Sequence, residues 1–452
     1  MAGMWKKARD LASQAPPERN RWVDFLRALS ILAVVFGHWL MAGLYVDASG
    51  ELVREDLLST VAWTQWLTWG FQVMPVFFLV GGYSNGVSWN ATLRKAENGG
   101  QTSYYRDWLA SRVQRLIAPT FPLLLLWAAL AVALTQLGLP REQIRMATEA
   151  ALIPVWFLAV YLLVTTCTPL THRAWERFGW ASFAIYIPLA MTTDWLTFTV
   201  DVPWFNFTNF LWVFLGIHQL GYAWRAGRFD NRMVAFGCFA IGLAVLISIT
   251  VYGFYPVSMV SAPGGFSNSL PPTLALFALG IVQVGLVLSL EPLGRKMLDN
   301  LTIWTATVLM NGMIMTVYLW HLTAFVLVMT VTWLAFGGAG LDSVPGSGEW
   351  WASRPLWLGI YILALLPMIA IFARNERTFT AIRGGRTVPK ARVVAGVFLI
   401  CAGLAATAGV TIASPDSLSG IRLWVVAAPF IGAALLGFGP AYKPSKKTRA
   451  AK

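Results

Sequence analysis

Residues 21–40 read "RWVDFLRALSILAVVFGHWL", a run apolar enough to cross a bilayer that nevertheless carries Asp24, Arg27 and His38. About 20 residues at 1.5 Å each match a ~30 Å hydrocarbon core, so the stretch reads as a transmembrane helix. An ionised group in mid-helix costs about 2.5–3.5 kcal/mol on insertion scales, so such groups are expected to face protein or a wet cavity and to find partners there. These three also share a face. Arg27 and His38 stand eleven positions apart, which at ~100° per residue is three turns plus roughly 20°, so both project along one stripe about 16 Å apart in height. Asp24 lies one turn before Arg27, close enough to pair with it.

The rest of the chain repeats the apolar theme. Of its 452 residues 57% are hydrophobic and 12% charged, and runs of ~20 apolar residues recur from end to end. Read as spans they fall at 23–46, 61–88, 114–138, 147–171, 180–197, 204–223, 234–255, 271–291, 303–337, 355–373, 393–413 and 421–439. The expected fold is therefore all-α: a polytopic transmembrane helix bundle of about 12 spans, a 10-span core plus a C-terminal hairpin. With the N-terminus inside, 28 of the 34 Lys and Arg fall in cytoplasmic segments, which predicts cytoplasmic N- and C-termini. The first outer loop, "VDASGELVREDLLST", carries four acids against one Arg. No stretch leaves room for an independent soluble domain of ~100 residues.

Segment by segment, the expectation is a basic N-terminus over 1–22, a core over 23–375, a basic linker over 376–392, an accessory hairpin over 393–439 and a basic tail over 440–452. The N-terminal segment has no apolar core ahead of a small-residue cleavage site, so the first span is expected to be the insertion signal. The net charge of +13 is the charge that holds cytoplasmic loops against an anionic leaflet and calls for no nucleic-acid partner. Cys167, Cys238 and Cys401 have no metal-ligand spacing and read as small core residues, with no disulfide or metal site. Arg outnumbers Lys 25 to 9, a usage that suggests a GC-rich bacterial coding sequence.

One span is too long. Residues 303–337 would make a helix of about 50 Å, so a steep tilt or a break is expected, with Asn311 and Gly312 in "MNGM" as the weak point. Beyond it, "YLWH" ends in His321. In the inside-to-outside direction Asp24 and Arg27 fall near the inner boundary, and His38 somewhat past the midplane. That suits a substrate entering from inside with an anionic group. The same residues admit plainer roles: Arg27 snorkelling to inner headgroups with Asp24, and His38 as a satisfied core histidine. His172 reads as exposed at a span end, His218 as core packing, and Trp156 and Phe157 as lining or packing. In "YYRDWLASRVQRLIAPT", Arg112 and Arg115 share the entry face of the third span. Such a guanidinium pair fits phosphates bidentately and serves equally as a positive-inside anchor.

These segments together resemble the membrane-bound acyltransferase family 3, integral-membrane O-acyltransferases of envelope glycans, glycolipids and macrolides. "RWVDFLRALSILAVVFGHWL" is similar to the family's first-span signature, an Arg and a His separated by ten residues. "SRVQRLIAPT" is similar to its Arg-x-x-Arg element, and "MPVFFLVGGYSNG", "VWFLAVYLL" and "MTVYLWHLTAF" follow in the family's order. The resemblance covers about 19–375. Gly81 stands where the family usually has Ser, and no extracytoplasmic esterase-type domain is appended.

The resemblance implies transfer of an acyl group, often acetyl, from cytoplasmic acyl-CoA to a hydroxyl of an envelope glycan, glycolipid or small-molecule acceptor, at a multi-pass bacterial plasma membrane. Arg27, Arg112 and Arg115 would hold the CoA phosphates or pantetheine, and His38 would take the acceptor's proton or itself accept the acyl group. His321 would orient substrate, donate to an oxyanion or relay the proton, and Asp24 would complete the catalytic set with His38 and His321. No permanently bound cofactor is implied. A second reading from the residues alone is a proton-coupled secondary transporter of a small or lipid-linked anion, against which stand the missing repeat symmetry and the shortage of buried acids.

Overall fold

The computed structural model describes residues 2–47, 49–50, 52–99, 104–380, 388–414 and 416–440. It is mostly helical, with 76% helix and 3% strand. Residues 381–387 of the expected linker and 441–452 of the expected tail lie outside the described residues. The chain opens with α1 (Ala2–Ser13), α2 (Arg21–Met41), the strands β1 (Ala42–Val46) and β2 (Leu52–Asp56), and then α3 (Leu57–Thr60), α4 (Thr64–Phe71) and α5 (Met74–Gly99). Next come α6 (Tyr104–Ile117), α7 (Thr120–Gln136), α8 (Arg141–Leu152), α9 (Val155–Thr166), α10 (Thr168–Phe178), α11 (Tyr186–Phe198) and α12 (Asn209–Arg225). After them run α13 (Arg232–Val251), α14 (Leu274–Ser289), α15 (Glu291–Met297) and α16 (Leu301–Asn311). The last four are α17 (Ile314–Phe336), α18 (Gly348–Thr380), α19 (Lys390–Gly409) and α20 (Leu423–Leu435).

Among the described residues five helices are long and apolar enough to cross a membrane, namely α2, α13, α17, α18 up to Ala373, and α19. Three bent pairs, α6 with α7 (45°), α8 with α9 (42°) and α14 with α15 (51°), raise the number to eight. The expected twelve is higher because several apolar runs fold as shorter helices. The runs expected at 180–197 and 421–439 form α11 and α20, each 13 residues, or about 20 Å, well under a bilayer core. Pro119 interrupts the third expected span between α6 and α7, as a residue without an N–H does. The expected break in 303–337 is present: α16 ends at Asn311, Gly312 caps it, and α17 begins at Ile314.

The first span differs from its expected 23–46. Asn20 starts α2 by accepting from the Trp22 and Val23 N–H groups, but the helix stops at Met41 because residues 42–46 pair antiparallel with 52–56. The acidic loop expected on the outer side thus contains a two-stranded hairpin, whose Val46 N–H also donates to the Leu341 carbonyl (2.7 Å). His38 consequently lies in the last turn of α2 rather than in the middle of a longer helix.

The helices gather into two compact units: one of Met1–Ser88, Cys167–Ile314 and Thr332–Leu358, the other of Trp89–Thr166, Met315–Val331 and Gly359–Lys452. In the first, α1 lies along α16, with Ala8 and Ala12 buried and the Trp304 Nε1–H donating to the Ala12 carbonyl (3.1 Å). Trp304 is flanked by the Arg19 and Arg21 guanidinium groups, each 5.4 Å from its ring. The Asp194 carboxylate ties three elements, accepting from Tyr255 Oη (2.5 Å), Asn209 Nδ2 (2.7 Å) and the Leu274 N–H (2.8 Å). Asp194→Ala leaves three donors without that acceptor, and at ~1 kcal/mol or more for each the cost is about 3 kcal/mol. The purified protein is expected to melt about 5 °C or more below the parent; an unchanged melting temperature would remove Asp194 as a tie.

In the second unit α19 packs on α20, α9, α8 and α6. Gly396 and Gly432 meet backbone to backbone, and a Cβ on Gly396 would stand 2.8 Å from the Gly432 carbonyl oxygen. Tyr105 Oη donates to the Thr166 carbonyl (3.0 Å) and Trp127 Nε1 to Thr323 Oγ1 (3.0 Å). The C-terminal hairpin is thus an integral wall of this unit.

Candidate active site

The α2 stripe faces protein. Ile31 and Val34, which lie on it between Arg27 and His38, are 2% and 7% exposed, whereas Leu29 and Leu32 on the opposite side are 48% and 36% exposed. His38 is half-buried on the inward side, and its backbone carbonyl accepts the capping N–H of Ala42.

At the other end of the stripe lies a guanidinium cluster. Asp24, 6% exposed, accepts from Arg19 Nε at Oδ2 (2.7 Å) and from Arg27 Nη1 at Oδ1 (3.0 Å). Arg27 Nη2 also donates to Ser84 Oγ on α5 (2.8 Å). One carboxylate shared by two guanidinium groups leaves one positive charge in excess; Arg21 shares the Trp304 ring with Arg19, donates to the Leu298 carbonyl (2.9 Å) and pairs with Asp299 at 3.9 Å. The helix break joins this cluster: Asn311 Nδ2 donates to the Asp24 carbonyl (2.9 Å). Asp24 and His38 are fourteen residues apart on one helix, about 21 Å, so Asp24 holds Arg27 and does not reach the imidazole.

Behind Arg27, α5 meets α12. Asn85 Nδ2 lies 3.1 Å from His218 Nε2, and His218 is fully buried with Nδ1 lacking a hydrogen-bond partner. Tyr222 packs edge-on between two imidazoles, with ring centroids 5.4 Å from His218 and 5.2 Å from His172. His172, expected to be exposed, is only 2% exposed, because α10 turns its histidine face onto α12. Burial lowers its pKa and the Arg225 charge adds to that, while Glu176 at 3.4 Å opposes it.

Arg112, Arg115 and His321 belong to the second unit. Arg112 is half-buried on α6, with its guanidinium 5.8 Å from the Trp108 ring, and Arg115 is exposed. His321 on α17 is fully buried, with Nδ1 2.7 Å from the Tyr318 carbonyl oxygen. A carbonyl only accepts, so Nδ1 carries hydrogen and Nε2 is the basic nitrogen. Tyr318 Oη donates to the Pro154 carbonyl (2.7 Å), and Phe157 packs edge-on against the Tyr318 ring. The structure therefore joins Asp24 to Arg27 and sets His38 on their stripe, sets Arg112 and Arg115 on one helix, and fixes the His321 tautomer.

Several polar residues escaped the sequence reading. Ser84 and Asn85 lie within the segment MPVFFLVGGYSNG that carries part of the resemblance, but as ordinary neutral residues they had no role of their own assigned there. Asp194 and Arg354, 4% and 7% exposed, did carry a signal, being ionisable groups inside or beside apolar runs, as Arg27 is. Arg354 sits 4.2 Å over the Trp350 ring and donates to the Trp350 carbonyl. Among the described residues no cluster of His, Cys, Asp or Glu could hold a metal ion.

A family model described as an acyltransferase domain, that of acyltransferase family 3, matches residues 20–374. No curated protein and no solved structure matches the chain.

Proposed function

The chain belongs to acyltransferase family 3, and on that premise we propose that it moves an acyl group, acetyl first among them, from cytoplasmic acyl-CoA to a hydroxyl of an envelope carbohydrate, glycolipid or small molecule. Its helices and its family make it an acyltransferase of the membrane; donor, acceptor, a bacterial plasma membrane and cytoplasmic termini are part of the proposal.

The observation that carries the reading is the inward α2 stripe, which has excess positive charge at one end and an imidazole about 16 Å along it. A CoA thioester is a polyanion at one end and a reactive carbonyl at the other, so it needs charge separated from base. Arg27, Arg112 and Arg115 would take the phosphates as charge-assisted, bidentate partners. Asp24 would position Arg27. His38 would remove the proton of the acceptor hydroxyl as its oxygen attacks the thioester carbonyl. The C–S bond then breaks, and the thiolate leaves to be protonated as CoA. His321, whose Nδ1 hydrogen is committed to the Tyr318 carbonyl, would relay that proton through its basic Nε2, and would donate to the oxyanion only once Nε2 has taken the proton up.

The test is thioester consumption by the purified protein, with labelled acetyl-CoA as donor and envelope lipid and glycan extracts as acceptors. Label transfer with CoA release supports the proposal. Solute accumulation in proteoliposomes without CoA release would favour the transporter instead. Arg27→Ala is expected to raise KM for acetyl-CoA about 10- to 100-fold, as the loss of a charged hydrogen bond worth ~1.5–3 kcal/mol predicts, with a smaller change in kcat. A KM equal to that of the parent would remove Arg27 from donor binding.

A further inference from the structure

The first helix turns its small residues to protein and its long ones away. Ala8 and Ala12 are buried on the side of α1 that lies along α16, whereas Met4 and Leu11 are each 47% exposed and Lys6, Lys7 and Arg9 are exposed. We propose that this outward face of α1 is a docking surface for anionic phospholipid headgroups.

Position brings the helix to a membrane edge. Both ends of α16 touch the start of α2: Trp304 lies against Arg19 and Arg21, and Asn311 Nδ2 donates to the Asp24 carbonyl (2.9 Å). From that start α2 is long and apolar enough to cross the bilayer. The Trp304–Ala12 hydrogen bond holds α1 to α16, and so at the same level. With 12 residues α1 is about 18 Å long, too short to span. A short helix of this kind at a bilayer edge lies in the interface.

The residue pattern sets the partner. Met4, Lys7 and Leu11 follow at i, i+3 and i+7, which makes one stripe along a flank of the Ala8–Ala12 face. An ammonium between two apolar side chains matches a phospholipid boundary, where the apolar groups enter the acyl region and the lysine reaches a phosphate. Lys6 and Arg9 raise the cations of α1 to three against one acid, Asp10. Among the described residues none of the three cations takes part in an ion pair. Excess positive charge favours an anionic over a zwitterionic headgroup. An acidic peptide would satisfy the charges but leave Met4 and Leu11 in water. Lipid bound here bears on the α2 cluster through Arg19, whose guanidinium lies over Trp304 and donates to Asp24, the partner of Arg27.

Hydrogen–deuterium exchange of the full chain in nanodiscs tests the surface. The comparison is phosphatidylcholine alone against phosphatidylcholine with about one-third phosphatidylglycerol, with neither acyl donor nor acceptor present. Amides of α1 are expected to exchange about tenfold more slowly in the anionic discs, and to lose that protection at high salt. The triple variant Lys6→Gln, Lys7→Gln, Arg9→Gln is expected to exchange alike in the two lipids. Met4→Ser with Leu11→Ser is expected to exchange faster than the parent in both, through loss of the apolar anchor. These side chains are exposed, so both variants are expected to melt with the parent in phosphatidylcholine. Equal exchange of the parent in the two lipids, or protection by phosphatidylglycerol undiminished in the triple variant, would overturn the proposal. Because no thioester is involved, that failure leaves the acyltransfer assay to stand or fall alone.

Discussion

His38→Ala is expected to lower kcat for acyl transfer by about 10²–10⁴-fold, the usual worth of a positioned general base, while KM for the donor changes little. Fold is expected to survive the change. The ring sits half-buried in the last turn of α2, and alanine retains the backbone carbonyl that receives the Ala42 N–H at the start of the hairpin. The measurement is transfer from labelled acetyl-CoA by purified variant and parent at equal amounts, with size exclusion and melting temperature showing equal folding. Paired with Arg27→Ala, the expectation is a split, with kcat falling in one variant and KM rising in the other. Transfer by His38→Ala at the parent's rate would end the assignment of a base there.

The polar stripe was legible because the bilayer makes ionisable groups conspicuous: Asp24, Arg27 and His38 stand out against an apolar run, and helical geometry alone puts the last two on one face. The break at Asn311 and Gly312 was legible from length, since 35 apolar residues exceed any straight span. Span number was less legible. Apolar runs at 180–197 and 421–439 look like spans by composition, yet fold as helices of 13 residues, because composition does not show where capping and tertiary contacts end a helix. The hairpin at 42–56 was hidden for a different reason. Its five-residue strands carry no clean alternation, and Ala42–Val46 reads as a continuation of the helix until its partner strand is known.

The glycine pair at the α5–α12 crossing should be the most sensitive structural point outside the stripe. A Cβ on Gly82 would overlap the His218 carbonyl oxygen and lie 2.7 Å from its carbon; one on Gly221 would overlap the Leu79 oxygen and the Tyr83 nitrogen. Backbones that close leave no side chain to yield, so the helices must part, as small-residue crossings in membranes require. Parting them undoes contacts on both sides: the Phe78–Phe214 stack at 4.1 Å, Tyr83 against Trp224 at 4.7 Å, and Asn85 against His218 at 3.1 Å. Gly82→Val is therefore expected to cost about 3 kcal/mol or more, at or beyond the upper end for overpacking, and to give little monodisperse protein on size exclusion. Gly237→Ala on α13, where a Cβ meets nothing within 4 Å, is expected to behave as the parent. The milder Gly82→Ala carries the functional consequence: it displaces Ser84, the Arg27 partner one turn fraction along α5, so surviving protein should show a raised donor KM before any loss of kcat. A monodisperse Gly82→Val melting with the parent would mean that the crossing is looser than these distances, and that Arg27 is held from α2 alone.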